Sequence, residues 1–185
     1  MNKPNDYDSA PMLVEGGLPP GGYVCQVKKI EETASKNGNA MLKIALDIYE
    51  GQYAGFYQDK FDSNTRLGKK WPSVFNQLIY DKDGNTNRSF KSFCEKMKES
   101  NGIEIPWGDH FCSALKGKLI GVTFGREQFE GNDGMLHWTT KPKYWKTVSE
   151  IREGKYTVPE DRPLKQETST APQGFDAISD EDLPF

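Results

Sequence analysis

The sequence predicts a small, mainly β domain followed by an acidic tail, and three observations lead to this prediction. The 185 residues contain only 35 % apolar side chains but 12 % aromatic ones, so rings carry much of the apolar surface. Several short segments alternate apolar and polar residues with the period of two that is typical of half-buried strands. After Pro159 the composition changes to Lys, Gln, Glu, Thr, Ser, Pro and Gly, which is typical of a disordered linker.

Three strands are expected in the first half of the domain, after an irregular arm at 1–20. Residues 23–30 and 42–49 alternate in character, and Asn37-Gly38 between them is a strong hairpin signal. Residues 56–61 are predicted to form the third strand. In the second strand, one face is assigned to the core and the other to solvent: Leu42, Ile44, Leu46 and Ile48 inside, Lys43, Ala45, Asp47 and Tyr49 outside.

A helical insert and two further strands are expected in the second half. Residues 71–80 are predicted to form a short helix with Pro72 at its first position, and 88–100 a longer one. A further helical turn is expected at 109–115. Strands then return at 118–126 and 135–139, and 149–160 completes the domain.

Three strands, a helical insert and two strands form the element order of an OB-fold, a five-stranded Greek-key barrel, although other small barrels fit this order too. The predicted fold is therefore mainly β: a five-stranded OB-fold barrel with a helical insert between strands 3 and 4, plus a disordered acidic C-terminal tail. The expected divisions are an arm at 1–20, the domain at 21–160, a disordered linker at 161–179 and an acidic tip at 180–185.

The charge is distributed unevenly between the domain and the tail. Residues 161–185 carry six acids and two bases, a net charge of -4, which leaves +1 for residues 1–160 of a chain whose total is -3. A nearly neutral body can still bind phosphates if its bases are clustered, because the local potential decides binding.

The domain carries the two features that binding a single nucleic-acid strand requires, which are cations along the backbone path and flat rings on which bases stack. Rings and bases are interleaved in two stretches, around 43–71 and around 126–146. Five phenylalanines, Phe61, Phe75, Phe90, Phe93 and Phe124, are assigned to the core instead. The predicted strand-binding residues are Lys43, Tyr49, Tyr53, Phe56, Tyr57, Lys60, Arg66, Lys69, Lys70, Trp71, Arg126, Trp138, Lys141, Lys143, Tyr144 and Trp145.

Catalytic and metal-binding patterns are not found in the sequence. It contains no phosphate-binding loop ending in Lys-Ser/Thr, no GxSxG and no HExxH, and its three cysteines and two histidines lack the spacing of a zinc site. We therefore expect a binding protein rather than an enzyme, with neither cofactor nor metal; a nuclease is a minor alternative. The lack of a signal peptide or a long apolar stretch predicts a cytoplasmic protein without a membrane partner.

The last six residues, Asp180-Glu181-Asp182-Leu183-Pro184-Phe185, place three carboxylates before an apolar end. They resemble the acidic tip of bacterial single-stranded DNA-binding proteins, which ends in Ile-Pro-Phe or Leu-Pro-Phe. Residues 116–127 and 151–160 are similar to phage-type members from Gram-positive hosts.

This resemblance implies sequence-independent binding and protection of single-stranded DNA, in a bacterial cytoplasm or in that of a phage host. It also implies that Asp180, Glu181, Asp182, Leu183, Pro184 and Phe185 recruit replication, recombination or repair proteins, with Phe185 in an apolar pocket and the carboxylates on basic residues.

The sequence leaves the oligomeric state and two alternative functions open. The first strand, the longer helical insert and the short linker depart from the housekeeping bacterial family, so its homotetramer is not carried over and a homo-oligomer is kept as an alternative. An OB-fold protein–protein adaptor and an RNA-binding module are the alternative functions.

Overall fold

The computed structural model describes residues 17–164, which form one five-stranded antiparallel sheet with helices packed against it. Strand order in the sheet is β3-β2-β1-β4-β5. The elements in chain order are β1 (Gly21–Ala34), β2 (Ala40–Ile48), α1 (Phe56–Asp62), β3 (Val74–Leu78), α2 (Arg88–Asn101), α3 (Phe111–Leu115), β4 (Leu119–Glu130), β5 (Leu136–Lys146) and α4 (Val148–Arg152). The predicted mainly β class is confirmed.

The first two strands form the predicted hairpin, and their inner face builds the core. The alternating apolar residues of β2 are all buried, as predicted: Leu42, Ile44, Leu46 and Ile48. Asp47 was assigned to the solvent face but is buried. Its carboxylate Oδ1 accepts hydrogen bonds from the backbone N–H groups of Ile48 and Tyr57, both at 2.9 Å, and these bonds compensate for its burial.

The predicted third strand at 56–61 is wrong, because these residues form helix α1. The many rings of this segment favour a strand by propensity alone. Gly55 instead adopts a left-handed conformation with φ of 77°, and the Asp47 carboxylate receives the N–H of Tyr57 in the first turn. Tyr57 is buried against the core, so tertiary packing decides the conformation.

The predicted helix at 71–80 is also wrong, since Val74–Leu78 form strand β3. Pro72 gave the signal of a helix start, but here it precedes a strand. Met41–Ala45 of β2 pair with β3 in antiparallel register, and this pairing satisfies backbone groups that a short helix would have satisfied internally. A third strand therefore does follow the first hairpin, but it is formed by Val74–Leu78 instead of by residues 56–61.

The remaining elements lie at the predicted positions, but β1, β4 and β5 are all longer than predicted, and the final segment forms only the short helix α4. Helices α2 and α3 lie at the expected positions, and Phe93, Met97 and Leu115 are fully buried among them. Strand β5 was predicted to end at residue 139 but continues to Lys146.

The two ends of the sheet approach each other through side chains. Strands β3 and β5 are not paired as strands, but the rings of Phe75 and Trp145 stack with their centroids 4.2 Å apart. The Trp145 indole N–H donates to Gln77 Oε1 at 2.9 Å, and Ser89 Oγ of α2 donates to the same oxygen at 2.7 Å. Gln77 thus connects β3, β5 and α2 at the seam, the place where the two edge strands β3 and β5 approach each other.

After β5 the chain crosses the face of β4 that lies opposite to the core. Glycines make room for it: a Cβ on Gly121 would lie 2.3 Å from the carbonyl oxygen of Thr147, and one on Gly125 would lie 2.8 Å from the Pro159 ring. The chain then runs parallel to β4, where the N–H of Gln128 donates to the carbonyl of Arg162 at 2.9 Å. Within residues 17–164, none of the helices has the length and apolar character needed to cross a membrane.

Candidate nucleic-acid interface

A cleft of about 580 Å³ lies between α1, the β4–β5 hairpin and the chain that enters β1. It is lined by members of both sequence clusters that were predicted to bind a strand: Phe56, Tyr57, Lys60, Arg126 and Trp138. The fold therefore brings together rings and bases that lie about 70 residues apart in the chain.

One wall of the cleft is helix α1, which presents a ring and a cation four residues apart. The Lys60 Nζ lies 5.9 Å from the centroid of the Phe56 ring, within the range of a cation–π contact. Lys60 forms no ion pair with any residue in 17–164. Tyr53, which was also predicted to bind a strand, does not line the cleft but packs edge-on against Phe56, with the centroids 6.3 Å apart.

The β4–β5 hairpin also lines the cleft and contributes a second ring with a second cation. The Arg126 guanidinium lies 5.3 Å from the centroid of Trp138, and the Trp138 side chain is 44 % exposed. Arg126 also forms a bidentate ion pair with Asp161, in which the Nε–Oδ1 distance is 3.0 Å. Hydrogen bonding to Arg126 lowers the pKa of the Asp161 carboxyl, which therefore stays charged at neutral pH.

The rest of the lining was missed at the level of the sequence. Residues 17–20 were predicted to belong to an irregular arm, yet they line the cleft, and Leu18 is buried. Pro72, Thr139 and Thr140 complete the lining. A Pro-rich arm carries no signal for such a position, because only the tertiary contacts of Leu18 bring it there.

Two of the predicted residues belong to the core. Trp145 is only 5 % exposed and packs between Phe75 and Phe93, at centroid distances of 4.2 Å and 4.8 Å. Tyr57 is 4 % exposed and stacks on Phe124. Burial raises the pKa of Tyr57 above its ordinary range. The face of neither ring is available to a base in this conformation.

Five further predicted residues, from the predicted second strand and from β5, lie outside the cleft. Lys141 and Lys143 both pair with Glu127, Lys141 at 2.8 Å, so their charges are already compensated. Tyr144 is 60 % exposed and Tyr49 is half exposed, but neither lines the cleft. Lys43 is exposed on β2 and also lies outside it.

The four predicted residues between α1 and β3 do not line the cleft. Arg66 and Lys70 are exposed. Lys69 lies over the Phe61 ring, 4.4 Å from its centroid. The Trp71 indole N–H donates to the carbonyl of Leu46 at 2.7 Å, which fixes the ring at the edge of the sheet.

A second groove, of about 500 Å³, lies on the side of α2 and contains the exposed Trp107. Its charged lining consists of Glu32, Glu95 and Lys91, so it lacks the excess of positive charge that a phosphate backbone requires. Among the described residues, no group of three or more His, Cys, Asp and Glu side chains is placed to hold a metal ion. The predicted partner-binding residues at 180–185 lie outside the described residues.

The arrangement of the cleft suits a flat ligand that carries negative charge. Two rings line it, Phe56 from α1 and Trp138 from β5, and each has its own cation. A base can stack on a ring whatever its identity, while Lys60 and Arg126 can neutralise adjacent phosphates. A cleft open between two walls also admits a strand that continues beyond it.

The chain matches the model of a protein family over most of its length. Residues 5–153 match the model of a family described as "Protein of unknown function (DUF669)", which covers most of the chain. No curated protein matches the chain.

Proposed function

The chain belongs to the DUF669 family, and we propose that it binds and protects single-stranded DNA without reading its sequence. One observation carries this proposal: two ring–cation pairs from distant parts of the chain, Phe56 with Lys60 and Arg126 with Trp138, face one cleft. The cleft can stack bases and neutralise phosphates, and these are the two interactions that binding of a single strand requires.

The fold that we propose to underlie this site is an OB-fold barrel. Its support is the strand order together with the contact between the outer strands, where Phe75 of β3 stacks on Trp145 of β5. Helix α2 follows β3 and precedes β4, which is the place of the helical insert in such a barrel.

The mechanism is binding rather than catalysis, and it predicts characteristic energetics. Each stacked base contributes about 1–3 kcal/mol, and each neutralised phosphate lowers the logarithm of the binding constant by about 0.7 per decade of salt. Because rings accept every base and phosphates carry no sequence, the protein coats exposed strands of any sequence. Duplex DNA stacks its bases internally and offers them poorly to Phe56 and Trp138.

Recruitment of partner proteins belongs to the same proposal. The acidic segment Asp180-Glu181-Asp182 with Leu183-Pro184-Phe185 suits an apolar pocket rimmed by basic residues on a replication, recombination or repair protein. We place this activity in a bacterial cytoplasm, or in the cytoplasm of a host if a phage encodes the protein.

Tryptophan fluorescence tests the proposed ligand, because Trp138 lines the cleft. The protein is titrated with oligo-dT, oligo-U and a duplex of equal length at about 50 mM salt, where phosphate contacts are strong. We expect saturable quenching by oligo-dT that clearly exceeds quenching by duplex and that weakens as salt is raised.

Each alternative gives a different result in the same titration. Tighter binding of oligo-U than of oligo-dT would favour the RNA-binding module. No response to any nucleic acid would refute the proposal and favour the protein adaptor. Shortening of the oligo-dT in the presence of magnesium would identify a nuclease.

A further inference from the structure

A second set of rings and cations adjoins residues that line the cleft, at the end of α1 and in the segment before β3. Phe61 follows Lys60 in the chain, and Trp71 precedes Pro72, so both rings adjoin residues that line the cleft. The two ring centroids are 5.3 Å apart. We call the group Lys28, Phe61, Lys69 and Trp71 the Trp71 cluster.

Each ring of the Trp71 cluster has its own cation, as in the cleft. The Lys69 Nζ lies 4.4 Å from the centroid of Phe61, and the Lys28 Nζ lies 6.0 Å from that of Trp71. Neither lysine forms an ion pair with any residue in 17–164. Both rings are partly exposed, although Phe61 was assigned to the core at the level of the sequence.

A β-bulge places Lys28 in this cluster. Val27 pairs with Leu46 and Lys29 pairs with Ala45, so Lys28 is the extra residue without a partner on β2. Bulges turn the side chain of the extra residue away from the regular alternation and are frequent next to functional sites. Lys29, one residue further on, pairs with Glu31 instead.

Two hydrogen bonds hold the cluster in place before any ligand binds. The Trp71 indole N–H donates to the Leu46 carbonyl at 2.7 Å, and the Lys69 Nζ donates to the Phe61 carbonyl at 2.9 Å. Fixed rings and cations lose little freedom when a ligand binds, which favours affinity.

We propose that the Trp71 cluster is a second subsite for the same strand, which passes from the cleft across α1 to Trp71. The proposal rests on the proposed function. In this subsite a base stacks on the exposed part of Trp71 or Phe61, while Lys28 and Lys69 contact the flanking phosphates. The ligand is therefore a strand long enough to fill both the cleft and the cluster.

A length series separates the two subsites. Fluorescein-labelled oligo-dT of about 4 to about 16 nucleotides spans the range of strand lengths that single OB-folds bind. Its anisotropy is measured with the wild type and with Lys28→Gln, Lys29→Gln and Trp138→Ala. Lys29→Gln is the matched control, because it removes the same charge from the neighbouring residue. Thermal unfolding by circular dichroism checks that each variant is folded.

Lys28→Gln is expected to weaken binding of the longest oligonucleotide about three- to tenfold and to reduce the salt slope by about 0.7, the value for one phosphate contact. It should leave the shortest oligonucleotide unaffected, and Lys29→Gln should change neither. Trp138→Ala should weaken binding at every length.

Two results would overturn the second subsite and leave the cleft intact: equal effects of Lys28→Gln and Lys29→Gln on the longest oligonucleotide, or an equal loss at all lengths for Lys28→Gln. Failure of the proposed function looks different, since then no oligonucleotide binds or Trp138→Ala has no effect at any length.

Discussion

Arg126 makes two contacts at once and keeps further donors available. Its guanidinium lies over Trp138, and its Nε and one Nη2 proton are used by Asp161. A guanidinium has five N–H donors, so the Nη1 group is left for a phosphate oxygen. Because Asp161 fixes the orientation of this side chain, little rotamer freedom is lost when a phosphate binds.

Asp47 is a residue that acts on the cleft through backbone geometry. Its buried carboxylate binds the N–H of Tyr57 in the first turn of α1, the helix that carries Phe56 and Lys60. Burial raises the pKa of Asp47, while the N–H groups of Tyr57 and Ile48 oppose this shift. The residue therefore orients the ring and the cation of one wall without contacting a ligand itself.

Substitutions at Asp47 are expected to separate its hydrogen bonds from its charge. Asp47→Ala should lower the free energy of unfolding by about 2 kcal/mol, because two buried N–H groups lose their acceptor. It should also weaken oligo-dT binding. Asp47→Asn keeps the accepting Oδ1 and should be at least as stable as the wild type at pH 7, since it removes a buried charge. Urea unfolding measures the stability of both variants, and anisotropy of labelled oligo-dT measures the binding.

Comparing the stability of the wild type and Asp47→Asn at several pH values shows whether folding raises or lowers the pKa of Asp47. With its pKa raised on folding, Asp47 holds a proton more tightly in the folded state. The wild type should therefore lose stability relative to Asp47→Asn as the pH rises above about 3.9, the ordinary Asp value, through the raised pKa. A gain in stability of the wild type over that range would show that its hydrogen bonds outweigh its burial.

At the scale of elements, local patterns predict most strands and helices but fail around α1. The alternation of β2 and the apolar face of α2 are strong periodic signals, and both elements lie where expected. Phe56–Asp62 is too short for its period to decide between strand and helix. A buried carboxylate from another element decides it, and no local pattern reveals such a contact.

Tertiary contacts also limit how well the binding residues can be predicted from the sequence. Phe56, Lys60, Arg126 and Trp138 could be predicted because bases flank rings in the sequence. The burial of Trp145 could not, since Lys146 beside it suggests an exposed stretch, whereas its indole fills the seam against Phe75. The place of Lys28 depends on a bulge in the pairing of β1 with β2, which composition does not show.

Helix α4 is held to α2 by an ion pair within a capping box. Thr147 Oγ1 accepts the N–H of Glu150, and the Glu150 carboxylate accepts the N–H of Thr147 at 2.7 Å and pairs with Lys96 at 2.9 Å. Burial alone would raise the pKa of Glu150, but the Thr147 N–H, Lys96 and Lys146 outweigh it and lower the pKa to about 2.

Glu150→Gln should destabilise the domain by about 1–2 kcal/mol at pH 7, after allowance for the partial exposure of the pair. Glutamine can keep the capping box, so the loss reports the charge. The difference should be full above about 4.3, the ordinary Glu value, and should vanish as the pH falls towards 2. Glu153→Gln is the control, because its pair with Lys155 is exposed. Equal effects of both substitutions in urea unfolding would refute this account.

At the scale of the whole molecule, the proposed strand-binding residues and the net negative charge lie in different parts of the chain. The domain, whose net charge is close to zero, holds the rings and cations, and the net negative charge lies after residue 160. The chain that leads to the acidic end runs along β4 and places Asp161 on Arg126, at the wall of the cleft. The last described part of the chain thus passes along one wall of the proposed strand-binding cleft.

The most direct test of the central claim compares two exposed rings of the same strand, Trp138 inside the cleft and Tyr144 outside it. Both were predicted to bind from the sequence, and only the fold distinguishes them. The dissociation constant of labelled oligo-dT is measured by anisotropy for Trp138→Ala and Tyr144→Ala. Loss of one stacked base should weaken binding of Trp138→Ala about 5- to 150-fold, with Tyr144→Ala within about twofold of the wild type. Undiminished binding by Trp138→Ala, or a larger loss for Tyr144→Ala, would contradict the assignment of the cleft.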